Sequence, residues 1–177
     1  MNGCRCNRII PIVLFTLFGL SAGPAVSAEG LVNQSVLSLA KAQKAAAAAE
    51  RKCRQQGYKV SAAVVDRAGV IQALLRGDGA GPHTVDSSSR KAYTAASLRA
   101  PTQKLAELIS KKPKIQALRE MNESILILGG GLPVRMGGEV VGGIGVGGAP
   151  GAQLDEACAQ AGLETIGADK EKGGAGE

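Results

Sequence analysis

The stretch GGEVVGGIGVGGAP, Gly137 to Pro150, most constrains what this chain can fold into. Its glycines sit inside a run of Val and Ile that reads as a β-strand. Glycine within a strand marks a bulge or a close approach of another backbone. A phosphate-cradling loop requires a strand, a glycine turn and a helix within a βαβ unit, and that pattern does not surround these residues. The neighbouring glycine pairs and triplets, at 129–131 and 137–138, suit tight reversals between short strands. The region therefore reads as antiparallel hairpins, which excludes a doubly wound parallel sheet.

The remaining elements follow from periodicity and punctuation. SVLSLAKAQKAAAAAERKCRQQG reads as a long helix with Ser35 or Ser38 as N-cap and Gly57 as terminator. YKVSAAVVD and VIQALLR form a hairpin across RAG. TVDSSSRKAYTAASLR reads as a helix capped by Thr84 or Asp86. Pro101 ends it and opens the next helix, PTQKLAELISKK, and KIQALREMN adds a short helical piece. Three strand-like runs come next: Ile125–Leu128, Leu132–Met136 and Glu139–Val146. GAQLDEACAQAGL is a final helix. The expected fold is an α+β single domain, a five-stranded antiparallel sheet flanked by helices. The domain spans 29–166, and a charged, glycine-rich tail at 167–177 is expected to be disordered.

Residues 1–28 read as a secretory signal peptide. Arg5 and Arg8 make a positive start, Ile9–Leu20 an apolar run too short for a comfortable membrane span, and Val26–Ala28 a small-residue cleavage site. The expected localisation is exported, either periplasmic or secreted. Phe15 and Phe18 would leave with this segment, so Tyr58 and Tyr93 would be the aromatic residues of the mature chain. A core of Ala, Val, Ile and Leu buries little area per residue, so a homo-oligomer is expected. The chain carries +6, and loss of Arg5 and Arg8 leaves +4. Without a dense basic run or aromatics for base stacking, nucleic acid is not an expected partner. Cys53 and Cys158 would remain, either as one disulfide of an exported protein or as two buried thiols.

His83, the single histidine, lies in GDGAGPHTVDSSSRKAYTAAS. Ser87, Ser88 and Ser89 beside His83 and Asp86 read as helix-start capping groups, not as a hydrolytic triad. One histidine and two distant cysteines cannot build a four-ligand zinc site. A haem iron, however, needs only one strong axial donor from the protein. Arg90 and Lys91 could pair with its propionates, and Tyr93 and Thr94 could donate hydrogen bonds or ligate. The competing reading of His83 is a surface or capping residue.

Several motifs together resemble a known family. They are VVDRAGV at Val64–Val70, RGDGAGP at Arg76–Pro82, RKAYTAA at Arg90–Ala96, GGGLPVR at Gly129–Arg135, GGEVVGGIGVGGA at Gly137–Ala149 and DEACAQAGL at Asp155–Leu163. The chain resembles the GlcG/HbpS-like haem-binding family, related to the C-terminal domain of PduO-type cobalamin adenosyltransferases. The resemblance implies a five-stranded, profilin-like sheet and homo-oligomers. It also implies haem as cofactor, held by His83 or Thr84 at the start of the helix or by Thr94 along it. Arg90, Lys91 and Tyr93 would line the site. Haem storage or redox sensing with a membrane sensor partner is one implied role. The alternative is an accessory protein or enzyme acting on a small organic acid such as glycolate, bound through Arg90 and Lys91. A partner-sensing scaffold with a vestigial pocket is a third reading.

Overall fold

The computed structural model describes residues 30–170. The expected signal peptide, 1–28, lies outside these residues, as does 171–177, most of the expected tail. Residues 30–33 belong to a separate N-terminal unit and are exposed, and the main unit begins at Gln34.

Among the described residues, four α-helices and four strands occur in the order α1 (Leu39–Gln55), β1 (Ser61–Asp66), β2 (Ile71–Arg76), α2 (His83–Leu98), α3 (Thr102–Lys111), β3 (Gly131–Met136), β4 (Glu139–Gly147) and α4 (Ala152–Thr165). A 3-10 helix, Pro113–Glu120, follows α3. The strands form one antiparallel sheet in the order β2-β1-β4-β3.

The sheet has four strands, not five. Ile125–Leu128 was expected as a strand because it is short, apolar and rich in isoleucine. It is irregular chain lying beside α2. Leu126 N–H donates to Thr94 Oγ1 at 2.8 Å, and Ile125 O accepts from Arg90 Nη2 at 2.8 Å. Side chains thus supply partners that a strand ladder would otherwise provide. Ile125 and Ile127 bury against Ile109 and Tyr93 in a satellite cluster, which accounts for their strand-like hydrophobicity.

Two layers of helix cover the sheet. Alternation on β1 sends Ala62 and Val64 to one face and Ala63 and Val65 to the other. The first face, with Ile144 and Val146 of β4, packs on α1 and α4. The alanines of α1, at 42, 45, 46 and 49, are all buried there. Ser38 caps α1 by accepting from Lys41 N–H at 3.4 Å, and Gly57 follows its end with φ +83°. The Cys53–Cys158 disulfide joins α1 to α4 with Cα atoms 5.6 Å apart.

The second face carries α2 on β1 and β4. Here the expectation from the glycine-rich strand is met. A Cβ on Gly145 would overlap Ser88 O, and one on Gly143 would overlap Ala92 O. Their absence lets the helix backbone lie directly on the strand. The helix is thereby held at a close, fixed height over the sheet, and its sheet-facing side has no room for a ligand.

The first residues after α4 turn back to the sheet. Asp169 N–H donates to Arg135 O at 2.9 Å, and its carboxylate accepts from Gly138 N–H at 2.7 Å.

Candidate functional site

Helix α2 carries every candidate residue read from the sequence, but the fold distributes them over different sides of it. The loop from Gly77 delivers the chain to Pro82, whose φ of −60° already suits a helix. Pro82, not Thr84 or Asp86, occupies the N-cap position, and no side chain caps this end. His83 is therefore the first helical residue. Its side chain is exposed and makes no hydrogen bond or ion pair among the described residues. The ring lies over Gly81, where a Cβ would approach its Cε1 to 2.6 Å. The imidazole nitrogens are thus left to solvent or to a ligand.

Thr84, by contrast, is buried. Its hydroxyl donates to Gly81 O at 2.7 Å and lies 2.7 Å from Ser61 Oγ on β1. It fastens the loop's end to the sheet and is not placed as an axial ligand. The three serines that follow also bond inward: Ser87 to Thr84 O, and Ser88 and Ser89 to Val85 O. Such local back-bonding leaves no activated hydroxyl.

Lys91 was expected at a propionate. It is instead only 2% exposed, with Nζ donating to Val146 O at 3.0 Å and to Asp155 Oδ2 at 2.8 Å. Asp155 also accepts from Ala149 N–H at 3.0 Å. Burial raises its carboxyl above the ordinary 3.8, against the opposing pull of the Lys91 charge and hydrogen bonds. This pair ties α2, β4 and α4 together. The sequence displays Asp155 inside a family motif, but nothing in the sequence links it to Lys91, 64 positions away.

Arg90 lies at the margin between buried and exposed surface. Its Nη2 holds Ile125 O, its Nη1 lies 3.4 Å from Asp86 Oδ2, and its Nε is buried without a partner. Thr94 is buried, donating to Arg90 O at 2.8 Å while accepting from Leu126 N–H. Both its hydrogen-bonding roles are structural. Tyr93 is half-buried, with its ring against Gly69 in the β1–β2 turn and against the Ile109 cluster. The fold therefore leaves His83, with Arg90 and Tyr93 further along α2, accessible, and it withdraws Thr84, Lys91 and Thr94 into the core.

A family model described as haem-degrading protein HbpS-like matches residues 37–164. The chain belongs to this HbpS-like family. A double mutant of Streptomyces reticuli HbpS superimposes with a TM-score of 0.73 and 44% identity, covering 82% of this chain and 97% of that one. Protein GlcG of Escherichia coli is 33% identical over 111 residues, 63% of this chain and 81% of GlcG. A crystal structure of a PduOC:heme complex has a TM-score of 0.71 at 22% identity, over 78% of this chain and all of that one, and shares the fold. The α+β arrangement is thus the family's, with four strands among the described residues.

Proposed function

We propose that this HbpS-like chain is an exported haem-binding protein whose iron ligand is His83. The observation that carries the reading is the state of that imidazole: exposed, at the first turn of α2, and without a hydrogen-bond partner among the described residues. A neutral imidazole is the commonest protein ligand of haem iron. The family's haem-degrading description and the fold shared with a protein crystallised with haem support the choice of cofactor.

The residues present fit such a group on the outer side of α2. The side turned to the sheet is closed by the backbone contacts at Gly143 and Gly145. Arg90 supplies a part-exposed guanidinium whose Nη1 already turns toward a carboxylate, Asp86 Oδ2 at 3.4 Å, and such a group suits a propionate. Tyr93 offers a half-buried aromatic face. Lys91 takes no part, since moving it would strand Asp155 in the core. When bound, the iron would supply redox and ligand-exchange chemistry; the chain's own groups would bind and orient it.

Export rests on the leader-like residues 1–28 and on the Cys53–Cys158 disulfide, a bond that persists in oxidising compartments. Haem storage or redox sensing then suits a protein outside the cytoplasm. The deciding measurement is a haemin titration of the 29–177 protein beside His83→Ala, followed by absorbance. A saturable Soret band that shifts or weakens in the variant supports the assignment. Equal bands in both proteins would remove His83 as ligand. No saturable band in either would reject haem and return attention to a small organic acid held through Arg90.

A further inference from the structure

The chain's positive charge is not spread over its surface. Residues 99–119 hold Arg99, Lys104, Lys111, Lys112, Lys114 and Arg119 against one acid, Glu107. This stretch alone carries +5, whereas the whole 29–177 chain carries +4, so the remainder carries −1. The fold sets five of these cations on α3, on the 3-10 helix and in the turn between them. Lys112 N–H donates to Leu108 O at 3.0 Å and Ile115 N–H to Lys112 O at 3.0 Å, which closes α3 and fixes the turn.

The two sides of this segment differ. Leu105, Ile109, Ile115 and Leu118 turn inward to the cluster of Ile125, Ile127 and Tyr93. Lys111, Lys112 and Lys114 are exposed and make no ion pair among the described residues. Leu108 stands beside them, 39% exposed, one helical turn before Lys111 and Lys112. Met121, just after the 3-10 helix, is 54% exposed. A cation in the last turn of α3 complements the helix dipole. Three unpaired lysines with a bare leucine beside them exceed that need. Like charges this close repel one another, and an anionic surface relieves the repulsion.

We infer that the outward side of α3 and the turn after it is a docking surface for an anionic lipid bilayer. Clustered lysines beside an apolar side chain match both parts of such a surface, the charged headgroups and the acyl boundary beneath them. The choice of cation favours lipid over a folded acidic protein. Lysine is a flexible point charge without the fixed fork of arginine, so it reads charge density and not a set arrangement of carboxylates. No aromatic residue stands in 99–121 to stack on bases. At ten residues α3 is too short to span a bilayer, so it lies along the surface with Leu108 toward the acyl boundary.

The inference rests on neither haem nor export and is tested without them. The haem-free 29–177 protein lacks the apolar run Ile9–Leu20, which would itself seek lipid. It should co-sediment with vesicles of equal parts phosphatidylglycerol and phosphatidylcholine, and not with phosphatidylcholine alone. Raising salt to about 0.5 M should weaken the binding. A cation near such a surface is worth roughly five-fold in binding, so Lys111→Gln/Lys112→Gln/Lys114→Gln should bind about 100-fold more weakly. These positions are exposed, and circular dichroism and melting should match the parent. Lys44→Gln/Lys52→Gln/Lys59→Gln removes the same charge from exposed sites elsewhere and should change binding only a few-fold. Leu108→Ser should weaken vesicle binding while leaving capture by soluble polyglutamate unchanged. No binding to the anionic vesicles, or equal losses in the two triple variants, would overturn the inference. Vesicle binding untouched by Leu108→Ser and matched by polyglutamate would overturn it in favour of an acidic polypeptide.

Discussion

The inner and outer sides of α2 are built from similar residues and treated oppositely. On the inner side each polar group is met: Thr84 by Ser61 and Gly81, Lys91 by Asp155 and Val146, Thr94 by Leu126 and Arg90. On the outer side His83 has no partner among the described residues, and Arg90 meets Asp86 only in a part-exposed pair at 3.4 Å. Burial explains the contrast. A buried polar group without a partner loses its water and gains nothing in return. A polar group at the surface can wait for a ligand at little cost. The comparison therefore separates residues that hold the fold from residues available to bind.

The largest effect that would test this separation is at Lys91. Lys91→Met should destabilise the fold by about 3–5 kcal/mol, because it leaves the Asp155 charge buried and unpaired. Chemical denaturation reads this directly. The deficit should shrink on acidification. Asp155 has a folded-state pKa above 3.8, so its protonated form favours the folded state at low pH, and that contribution fades as pH rises through the folded value. A deficit that grows at low pH would contradict the buried-pair account.

Next in size is the clasp between α1 and α4. Replacing Cys53 and Cys158 together with alanine should cost about 2–4 kcal/mol, since the bond closes a loop of 105 residues. Differential scanning calorimetry would show it as a lower Tm with no effect on the α2 surface. An unchanged Tm would mean that the helices hold each other without the bond.

Gly145→Ala sharpens the inner side further. The added methyl meets Ser88 O, so overpacking should cost about 1–3 kcal/mol and loosen α2. Hydrogen exchange should quicken at amides of α2 before those of α1. Uniform exchange rates would argue against a backbone-to-backbone seat.

The smallest effect on stability is expected at His83. His83→Ala should shift unfolding by less than about 0.5 kcal/mol, as for surface positions generally, while altering the haemin spectrum. A marked loss of stability instead would place His83 with the structural residues.

Much of this architecture is legible in local sequence. The α1 alanines with Ser38 and Gly57, the hairpin at residues 61–76 and the glycine-laden final strand all announce themselves through neighbours two to four positions apart. Ile125–Leu128 misleads because a short apolar run reports burial and not backbone pairing. The site was legible in outline only. The helix bearing it reads from the sequence, but the burial of Thr84, Lys91 and Thr94 does not, because their partners Ser61, Asp155 and Leu126 lie on other elements.

By itself, then, the sequence determined the α+β class, the element order apart from Ile125–Leu128, the family and the helix that bears His83. These depend on periodicity, turn chemistry and backbone-permissive glycines, all properties of residues near one another in the chain. Tertiary structure alone decided the four-strand count, the cysteine pairing and the withdrawal of Thr84, Lys91 and Thr94. Each of these depends on which distant group arrives within about 3 Å of a polar atom, and on which surface no distant group reaches. Side-chain type states what a residue can do; the partner that folding brings to it settles whether it remains free to do it.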